Sequence, residues 1–361
     1  MSSTLGGYGF RLIASGQRLE KHEFSLPDPN PDEVVIEVAG CGVCHTDIGF
    51  AYGGVPTRAP LPLILGHEIS GRVVAAGERA TQLEGRSVIV PAVIPCGDCA
   101  PCRSGRPTIC RRQFMPGNDG DGGFATHVRV PARGLCLAPE CLPAGITLEA
   151  LSVVADAVTT PYEAIRRSEL VSDDVAVFVG VGGVGGFGVQ IAAALGAAVV
   201  AIDVDETKLN LAAAHGASLI LNAAATPDRD LKSAVRVFAR QSGRKGIGLK
   251  VFETSGTTAG QSTAFGMLDH GGYLAVVGFT PNKTELRLSN LMALDATARG
   301  NWGCPPEHYP AALALVLDGK VALEPYVERH PLDEAADLLE AVARHEIRRR
   351  AILVPNTRAT S

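Results

Sequence analysis

The N-terminal part of the chain contains short apolar runs separated by turn-forming residues. Val34–Val38 follows a cluster rich in proline, and Ile69–Val74 and Ser87–Val90 are separated by glycine-containing turns. Short runs rich in β-branched residues and bounded by such breakers predict strands. A further strand is predicted at Thr126–Val130. The first part of the chain is therefore predicted to be mainly β.

The pattern changes in the middle of the chain, where apolar strands alternate with helices. Val175–Val179 is apolar at every position, which is typical of a strand in a parallel sheet covered on both faces. A helix over Phe187–Leu195 and a strand over Ala198–Ile202 follow. The later elements predicted here are the strands Leu219–Leu221, Leu249–Glu253 and Tyr273–Val277 and a polar helix over Asp230–Gln241. This alternation predicts an α/β fold with a doubly wound parallel sheet.

Two further segments complete the predicted organisation. Apolar residues recur at helical spacing between residues 146 and 168, which predicts a helix there. The segment 298–361 is predicted not to extend the parallel sheet; it holds an amphipathic helix over Asp333–His345 and a closing strand over Ala351–Val354. Such a tail is suited to return to the first domain and complete its sheet. The predicted domains are therefore 1–157 with 298–361, and 158–297.

Length and composition narrow the class of protein. A chain of 361 residues is too long for one ordinary core, so two domains are expected. A net charge of -5, with 20% charged residues, gives no reason to expect a nucleic-acid partner. No apolar run reaches the roughly 18 residues that span a bilayer, so no membrane association is expected. The N-terminus lacks the pattern of a signal peptide, and we expect a cytoplasmic location.

Four cysteines lie close together, in the pattern Cys96-x-x-Cys99-x-x-Cys102 followed by Cys110. Nine cysteines in a chain without a secretion signal favour thiolate ligands over disulfides. Four thiolates close a tetrahedral zinc site with no open position, which predicts a structural zinc in a lobe over 95–111. An iron–sulfur cluster also takes four thiolates and is the main alternative.

A second group of ligand-type side chains lies upstream. Cys44 in the run Gly-Val-Cys-His-Thr-Asp and His67 in Gly-His-Glu supply a thiolate and an imidazole. A catalytic zinc takes three side chains and leaves a fourth position open, so a third ligand is required. Asp156 is a lone carboxylate in an apolar stretch, where burial is costly unless the charge is paired. It is the candidate third ligand; the alternative is an aspartate satisfied by capping or hydrogen bonds.

The strand Val175–Val179 leads into a glycine-rich turn with G-x-G-x-x-G spacing, between a predicted strand and a predicted helix. In this context the glycines let the backbone approach a pyrophosphate, which the helix N-terminus attracts. Asp203, about 20 residues on, would accept hydrogen bonds from ribose hydroxyls and repel a 2′-phosphate, which favours NAD over NADP. The residues expected at the cofactor in this part of the chain are Gly180, Gly182, Gly183, Val184, Gly185, Asp203, Val277, Gly278 and Asn301.

The order of these motifs resembles that of the zinc-dependent medium-chain alcohol dehydrogenases over nearly the whole chain. The resemblance implies a GroES-like catalytic domain with a zinc lobe and a Rossmann domain that binds NAD. It also implies one catalytic and one structural zinc per chain, and a homo-oligomer. The implied reaction is oxidation of an alcohol by zinc-assisted hydride transfer to NAD.

The resemblance implies roles for residues at the metal. Cys44 and His67 match the first two catalytic zinc ligands. Asp156 stands where the family most often has a cysteine, and a carboxylate is an acceptable zinc ligand. Glu68 matches the acid beside the zinc, an alternate ligand that exchanges with water.

Other positions are implied to serve the proton and the cofactor. Thr46 matches the hydroxyl that takes the substrate proton; many relatives have a histidine three residues later, where this chain has Gly49. The outer proton route therefore departs from the family. His45 and Arg350 match positions at the cofactor pyrophosphate, and Lys208 matches one near the adenosine ribose.

Within the family, several stretches resemble dehydrogenases that act on cyclic hydroxyacyl-CoA thioesters in anaerobic benzoyl-CoA degradation. These stretches are Met115–Asp119, Val153–Tyr162, Leu288–Met292, Gly300–Cys304 and Pro310–Leu313. The implied partner is a small-molecule substrate carried as a CoA thioester. The phosphates of coenzyme A require cationic side chains to bind them. Three groups of arginines either bind these phosphates or are solvated surface charge: Arg111–Arg112, Arg166–Arg167 and Arg348–Arg350. The glycine-rich loop 115–125 is either a tight connection or a border of the active site.

Three alternatives remain open from the sequence. The same enzyme class allows another secondary alcohol, a polyol or another acyl-CoA as substrate. A protein of another class, such as a regulator or a structural protein, would bind zinc and NAD without dehydrogenase chemistry, although the intact ligand set argues against this. Metal-dependent addition of water to the conjugated product is the third.

Overall fold

The computed structural model describes residues 4–355, which form two compact units. The first comprises residues 4–159, Gly303–Leu317 and 326–355, and the second comprises Thr160–Trp302 and Asp318–Pro325. Within the described residues the strands are β1 (Leu5–Leu12), β2 (Glu20–Leu26), β3 (Glu33–Gly42), β4 (Leu63–Ile64), β5 (Glu68–Ala76), β6 (Ser87–Val90), β7 (His127–Pro131), β8 (Cys136–Leu137), β9 (Val175–Val179), β10 (Ala198–Asp203), β11 (Leu219–Asn222), β12 (Lys250–Glu253), β13 (Tyr273–Val276), β14 (Thr297–Gly300), β15 (Val327–Pro331) and β16 (Arg350–Val354).

The α-helices of the same residues are α1 (His45–Ala51), α2 (Ala100–Arg103), α3 (Thr159–Arg167), α4 (Gly183–Ala194), α5 (Glu206–Ala214), α6 (Asp228–Gln241), α7 (Thr258–Met267), α8 (Ser289–Leu294), α9 (Tyr309–Leu317) and α10 (Ala335–Ala343). Among the helices of residues 4–355, none has the length and apolar character needed to cross a membrane.

The first unit is built on a seven-stranded sheet. Its strand order is β15-β16-β3-β5-β6-β8, with β7 paired to β3, and a smaller sheet has the order β2-β1-β4. The central strand β3 is mostly buried because Val34, Ile36 and Val38 face one apolar core that also contains Phe124. The first part of the chain was predicted to be mainly β, and this architecture confirms that prediction.

The C-terminal strand returns to this sheet, as the sequence predicted. β16 pairs antiparallel with β3, so that Ile352 lies opposite Gly42 and Leu353 lies opposite Cys41. On the other side of β3, Gly42 lies opposite Glu68 of β5. The end of β3 is therefore held between two strands, and this register fixes the chain immediately before Cys44.

The second unit contains a six-stranded parallel sheet with the order β11-β10-β9-β12-β13-β14. Every residue of β9 is buried, and Phe178 stacks on Phe252 of the neighbouring strand at a centroid distance of 4.6 Å. The order changes direction at β9, since β10 and β11 lie on one side and β12 on the other. In doubly wound sheets, ligands bind outside the carboxyl ends of the strands at such a point. The predicted Rossmann-type sheet is confirmed.

One prediction about this sheet is wrong. The segment from residue 298 was expected not to extend it, but Thr297–Gly300 forms the edge strand β14, parallel to β13. All four residues of β14 are exposed. An edge strand that buries no side chain needs no apolar alternation, so the hydrophobic pattern did not mark it.

The prediction of a single helix between residues 146 and 168 is also wrong. The structure has a 3-10 turn over Ala150–Ala155 and the α-helix Thr159–Arg167, with Asp156 between them at φ -142° and ψ -58°. Side chains bind the carbonyl of Ala155 at this break: the hydroxyls of Thr159 and Tyr309 donate to it. The segment is also rich in β-branched residues, which have a low helix propensity.

Candidate active site

Four side chains with metal-binding atoms converge in the first unit. Ligand atoms of Cys44, His67, Glu68 and Asp156 all lie within 4.8 Å of one another. The Asp156 Oδ2 atom is 3.8 Å from Cys44 Sγ and 3.6 Å from His67 Nε2. Ligands at zinc bond lengths of about 2.0–2.3 Å in a tetrahedron are separated by about 3.3–3.8 Å. The donor types and their spacing therefore suit one zinc ion.

The sheet register and two glycines place these ligands. Cys44 is the second residue after β3, and Glu68 opens β5 opposite Gly42. A Cβ atom on Gly42 would lie 2.0 Å from Glu68 Oε2, so this close approach requires glycine. Gly66 has φ +98°, a conformation that glycine adopts readily, and the turn there directs His67 into the cluster.

The sequence analysis gave Asp47 no role at the metal, but the structure places it between the two segments that carry Cys44 and His67. The helix α1 begins at His45, and the buried Asp47 carboxylate accepts hydrogen bonds from Cys44 N at 2.9 Å and from Gly66 N at 3.2 Å. Its Oδ1 is also 3.3 Å from His67 Nδ1. Asp47 thus orients both ligand segments and leaves His67 Nε2 facing Asp156. An acid three residues after Cys44 was the available signal.

The charges around His67 favour a cation. Burial lowers the pKa of His67, but the Asp47 carboxylate, with Asp156 and the Cys44 thiol, outweighs burial and raises the pKa well above its usual range. A site whose carboxylates and thiol stabilise positive charge this strongly suits a divalent metal, which takes the imidazole in its neutral form.

Arg350 lies in this site and pairs with Glu68. The Arg350 guanidinium donates to both carboxylate oxygens of Glu68, with Nε 2.9 Å from Oε2, and both groups are buried. Burial raises the pKa of Glu68, and the Arg350 charge offsets part of this rise. The resemblance implied a role for Arg350 at the cofactor pyrophosphate and a role for Glu68 as alternate metal ligand. In the structure these two side chains form an ion pair with each other.

Thr46, implied for the proton, and His45, implied for the cofactor pyrophosphate, lie in α1. The Thr46 hydroxyl is 3.6 Å from Cys44 Sγ, so it lies beside the predicted metal position. The His45 ring stacks on His345 at 5.7 Å. Gly49, in the next turn of α1, offers no side chain to carry a proton onward from Thr46.

The loop 115–125 borders the segment that carries His67. Gly123 N donates to Gly66 O at 2.8 Å, and a Cβ on Gly117 would lie 2.7 Å from Gly66 N. Asn118 ties the loop to the stretch before β4, because its backbone oxygen accepts from Ala59 N and its side chain accepts from Arg58 N. Of the two interpretations of this loop, its position favours a border of the metal site.

The four-cysteine cluster forms a second potential metal site in the same unit. The Sγ atom of Cys99 is 3.4 Å from that of Cys102 and 3.6 Å from that of Cys110, and all four ligand atoms, including that of Cys96, lie within 4.8 Å of one another. These separations suit tetrahedral zinc with four thiolates. The backbone N–H of Cys102 is the largest influence that lowers the pKa of Cys99, to about 6, which favours the thiolate.

The glycine-rich turn lies at the carboxyl end of β9, in the second unit. Gly180 has φ +87°, and Gly182 is the N-cap of α4, which begins at Gly183, four residues earlier than predicted. A Cβ on Gly185 would lie 1.9 Å from Gly180 O, so glycine there allows α4 to pack on the turn. Nothing lies within 4 Å of a Cβ built on Gly182, which leaves space for a ligand.

Asp203 supports this turn from the end of β10. Its Oδ2 accepts from Val181 N at 2.7 Å, and its Oδ1 accepts from Val204 N and Asp205 N. Val184 lies in the first turn of α4, and Lys208 lies in α5, which follows Asp205. The glycine-rich turn, Val184, Asp203 and Lys208 thus lie in the elements that end or follow β9 and β10.

The sequence analysis missed Glu253, which joins the turns at the ends of β12 and β13. Its buried carboxylate accepts from Ser255 N at 2.9 Å and from Gly256 N at 3.0 Å. Its backbone oxygen accepts from the amides of Val277 and Gly278, two residues expected at the cofactor. Asn301 follows β14; its backbone N–H donates a hydrogen bond to Val276 O, and its side-chain amide donates one to Thr160 O.

Two glycine substitutions are expected to separate folding from cofactor binding. Gly185→Ala introduces a Cβ that overlaps the Gly180 carbonyl, and we expect it to destabilise the second unit by about 2 kcal/mol or more. Gly182→Ala adds a Cβ in open space at φ -70°, so we expect unchanged thermal stability but at least a tenfold weaker NADH affinity. Melting temperature and NADH fluorescence titration check both variants; unchanged NADH affinity in Gly182→Ala would place the pyrophosphate elsewhere.

Comparison with known proteins shows which families and relatives the chain is similar to. The chain matches the family profiles described as "Alcohol dehydrogenase GroES-like domain" over residues 30–140 and "Zinc-binding dehydrogenase" over residues 183–318. It is 30% identical to an alcohol dehydrogenase of Geobacillus stearothermophilus, over 93% of this chain and 96% of that protein. It is 34% identical to an alcohol dehydrogenase of Rhizobium meliloti (strain 1021), over 85% of this chain and 87% of that protein.

A similar solved structure is the alcohol dehydrogenase of Aeropyrum pernix. It aligns with a TM-score of 0.85 at 29% identity and covers 96% of this chain and 100% of that chain.

Proposed function

Because the chain belongs to the zinc-dependent medium-chain alcohol dehydrogenases, and is therefore a zinc- and NAD-dependent oxidoreductase, we propose that it oxidises a cyclic secondary alcohol carried on a coenzyme A thioester. The proposed substrate is 6-hydroxycyclohex-1-ene-1-carbonyl-CoA, and the product is the corresponding 6-oxo compound. In this reaction the carbinol carbon lies next to the carbon that bears the thioester, so oxidation gives a ketone conjugated to the same double bond.

The proposed reaction depends on Cys44, His67 and Asp156 as the ligands of the catalytic metal. When bound, zinc supplies Lewis-acid polarisation of the substrate hydroxyl and NAD accepts the hydride. The Thr46 hydroxyl, beside Cys44 Sγ, would accept the proton of the substrate hydroxyl while it releases its own proton toward solvent. Asp47 orients Cys44 and His67, and Arg350 pairs with the charge of Glu68 in the buried site.

The choice of substrate rests on the stretches that resemble dehydrogenases of this family that act on cyclic hydroxyacyl-CoA thioesters. The position of one of them supports the proposal: Met115–Asp119 belongs to the loop that contacts Gly66, the residue before His67. Loops that border a catalytic site on a rigid scaffold commonly determine specificity.

Steady-state kinetics test the substrate. We expect kcat/KM for the cyclic hydroxyacyl-CoA to exceed that for the matching free hydroxy acid and for simple secondary alcohols by at least about 100-fold, because the thioester and its carrier contribute binding energy. The free acid is the matched control, since it keeps the ring and the hydroxyl. Equal or better turnover of free alcohols or polyols would instead support the alternative that the enzyme oxidises another secondary alcohol or a polyol.

Asp203 is expected to determine the choice between NAD and NADP. Replacement by asparagine removes the charge that repels a 2′-phosphate, so we expect the ratio of kcat/KM for NAD to that for NADP to fall at least about tenfold. Asp205→Asn is the matched control, because Asp205 is a neighbouring acid that caps α5 and asparagine also caps helices. An unchanged ratio in Asp203→Asn would remove Asp203 from the ribose site.

A further inference from the structure

Tyr309 is a buried tyrosine whose hydroxyl has two backbone partners. It opens α9 and is 1% exposed. Its hydroxyl accepts a hydrogen bond from Ala92 N at 3.1 Å and donates one to Ala155 O. The side chain therefore links the segment after β6 to the residue that precedes Asp156. Neither the sequence motifs nor the mechanism above uses Tyr309.

The Ala155 carbonyl controls the direction of Asp156. It belongs to the same planar peptide unit as the Asp156 nitrogen, so fixing this oxygen also fixes the orientation of the Asp156 N–Cα bond, about which φ sets the direction of the side chain. Thr159 Oγ1 donates to the same oxygen at 3.1 Å. Two side-chain donors thus hold the peptide at the point where the chain leaves the 3-10 turn, at φ -142° for Asp156.

Asp156 has more need of this support than the other two ligands. Its side chain is 18% exposed, whereas that of His67 is 2% exposed. Cys44 and His67 are further fixed by Asp47, which accepts from Cys44 N and contacts His67 Nδ1. The hydrogen bonds to the Ala155 carbonyl constrain the backbone of Asp156, and groups that orient a ligand typically change metal affinity 10- to 100-fold when removed.

We infer that Tyr309, acting with Thr159 through the Ala155 carbonyl, is a positioning residue that holds Asp156 in reach of the catalytic metal. The inference rests on the proposed role of Asp156 as third ligand. A tyrosine that served only to fill the core would change stability when its hydroxyl is removed, but it would not change the affinity of one metal site relative to the other.

The test uses the full-length zinc enzyme and Tyr309→Phe. Zinc retained per chain is measured during titration with a chelator, and the four-cysteine site is the internal reference. We expect the affinity of the catalytic site to fall at least about tenfold, with the four-cysteine site unchanged. Tyr326→Phe is the matched control, because Tyr326 is a second buried tyrosine of the same unit; it should retain both zinc ions as the unchanged chain does.

A folded Tyr309→Phe variant that retains catalytic zinc like the unchanged chain would overturn the inference. Should that variant not fold, Thr159→Val, which removes the other donor to the same carbonyl, is titrated instead. Weaker catalytic zinc in Thr159→Val supports the inference, and unchanged affinity overturns it. Asp156→Asn separates the two proposals: if it keeps catalytic zinc, the ligand role of Asp156 fails, whereas if it loses zinc and Tyr309→Phe does not, only the role of Tyr309 fails.

Discussion

Replacement of Cys44 by serine is expected to abolish alcohol-dependent reduction of NAD while leaving NADH binding intact. Serine offers a neutral hydroxyl in place of a thiolate, so the remaining donors bind zinc weakly. Lewis-acid stabilisation by a metal amounts to several kcal/mol, and about 4 kcal/mol corresponds to a rate loss of about 1000-fold. Metal analysis should find about one zinc fewer per chain, and NADH fluorescence titration should give the affinity of the unchanged chain.

Cys136→Ala is the matched control for this prediction. Cys136 is a buried cysteine of the same unit that lies outside both ligand clusters. The control should keep its zinc content and its turnover per folded molecule. Retained turnover in Cys44→Ser would contradict the assignment of Cys44 as a metal ligand.

The second large effect is expected at the four-cysteine lobe. The chain between Cys96 and Cys110 has only the one-turn helix α2 and a short 3-10 turn as regular structure, so metal bonds have to supply much of its stability. Structural zinc contributes on the order of 10 kcal/mol to folding in zinc-finger peptides, which makes a loss of several kcal/mol reasonable for this lobe. We expect Cys102→Ser to lower the melting temperature by about 10 °C or more.

Cys141→Ser is the control for the lobe, because Cys141 is exposed and lies outside the lobe. It should leave both the melting temperature and the zinc content unchanged. A Cys102→Ser variant with full zinc content and the same melting temperature would contradict a structural metal. Iron and acid-labile sulfide in the purified chain would favour the iron–sulfur alternative.

The hydrophobic pattern predicts the parts of the fold in which packing follows local sequence. Val175–Val179 is a strand as expected, because a strand buried on both faces must be apolar at every position. The edge strand Thr297–Gly300 escaped prediction because it buries none of its side chains. The break at Asp156 escaped prediction because the donors to Ala155 O include Tyr309, which is 154 residues away in sequence.

In the candidate site, too, residues marked by local sequence patterns could be predicted, whereas contacts that only the fold creates could not. The four lobe cysteines could be predicted to converge because ligand types at short spacings are a local signal, whereas Cys44 and His67 were predicted as ligands from their residue types; the structure brings each set together. Asp156 needed the resemblance to the family as well. Asp47 and Glu253 were missed, since each acts through backbone amides whose proximity only the fold reveals. The pairing of Arg350 with Glu68 depends on β16 returning to β3, because the partners are 282 positions apart in sequence.

The most direct test of the account is anomalous diffraction at the zinc edge from crystals of the zinc-loaded protein. The account predicts an anomalous peak about 2.3 Å from Cys44 Sγ and about 2.0–2.2 Å from His67 Nε2 and an Asp156 carboxylate oxygen. A second peak should lie among the four lobe cysteines. An ion at Cys44 and His67 that is completed by Glu68 with Asp156 out of reach, or no ion there at all, would contradict the central claim.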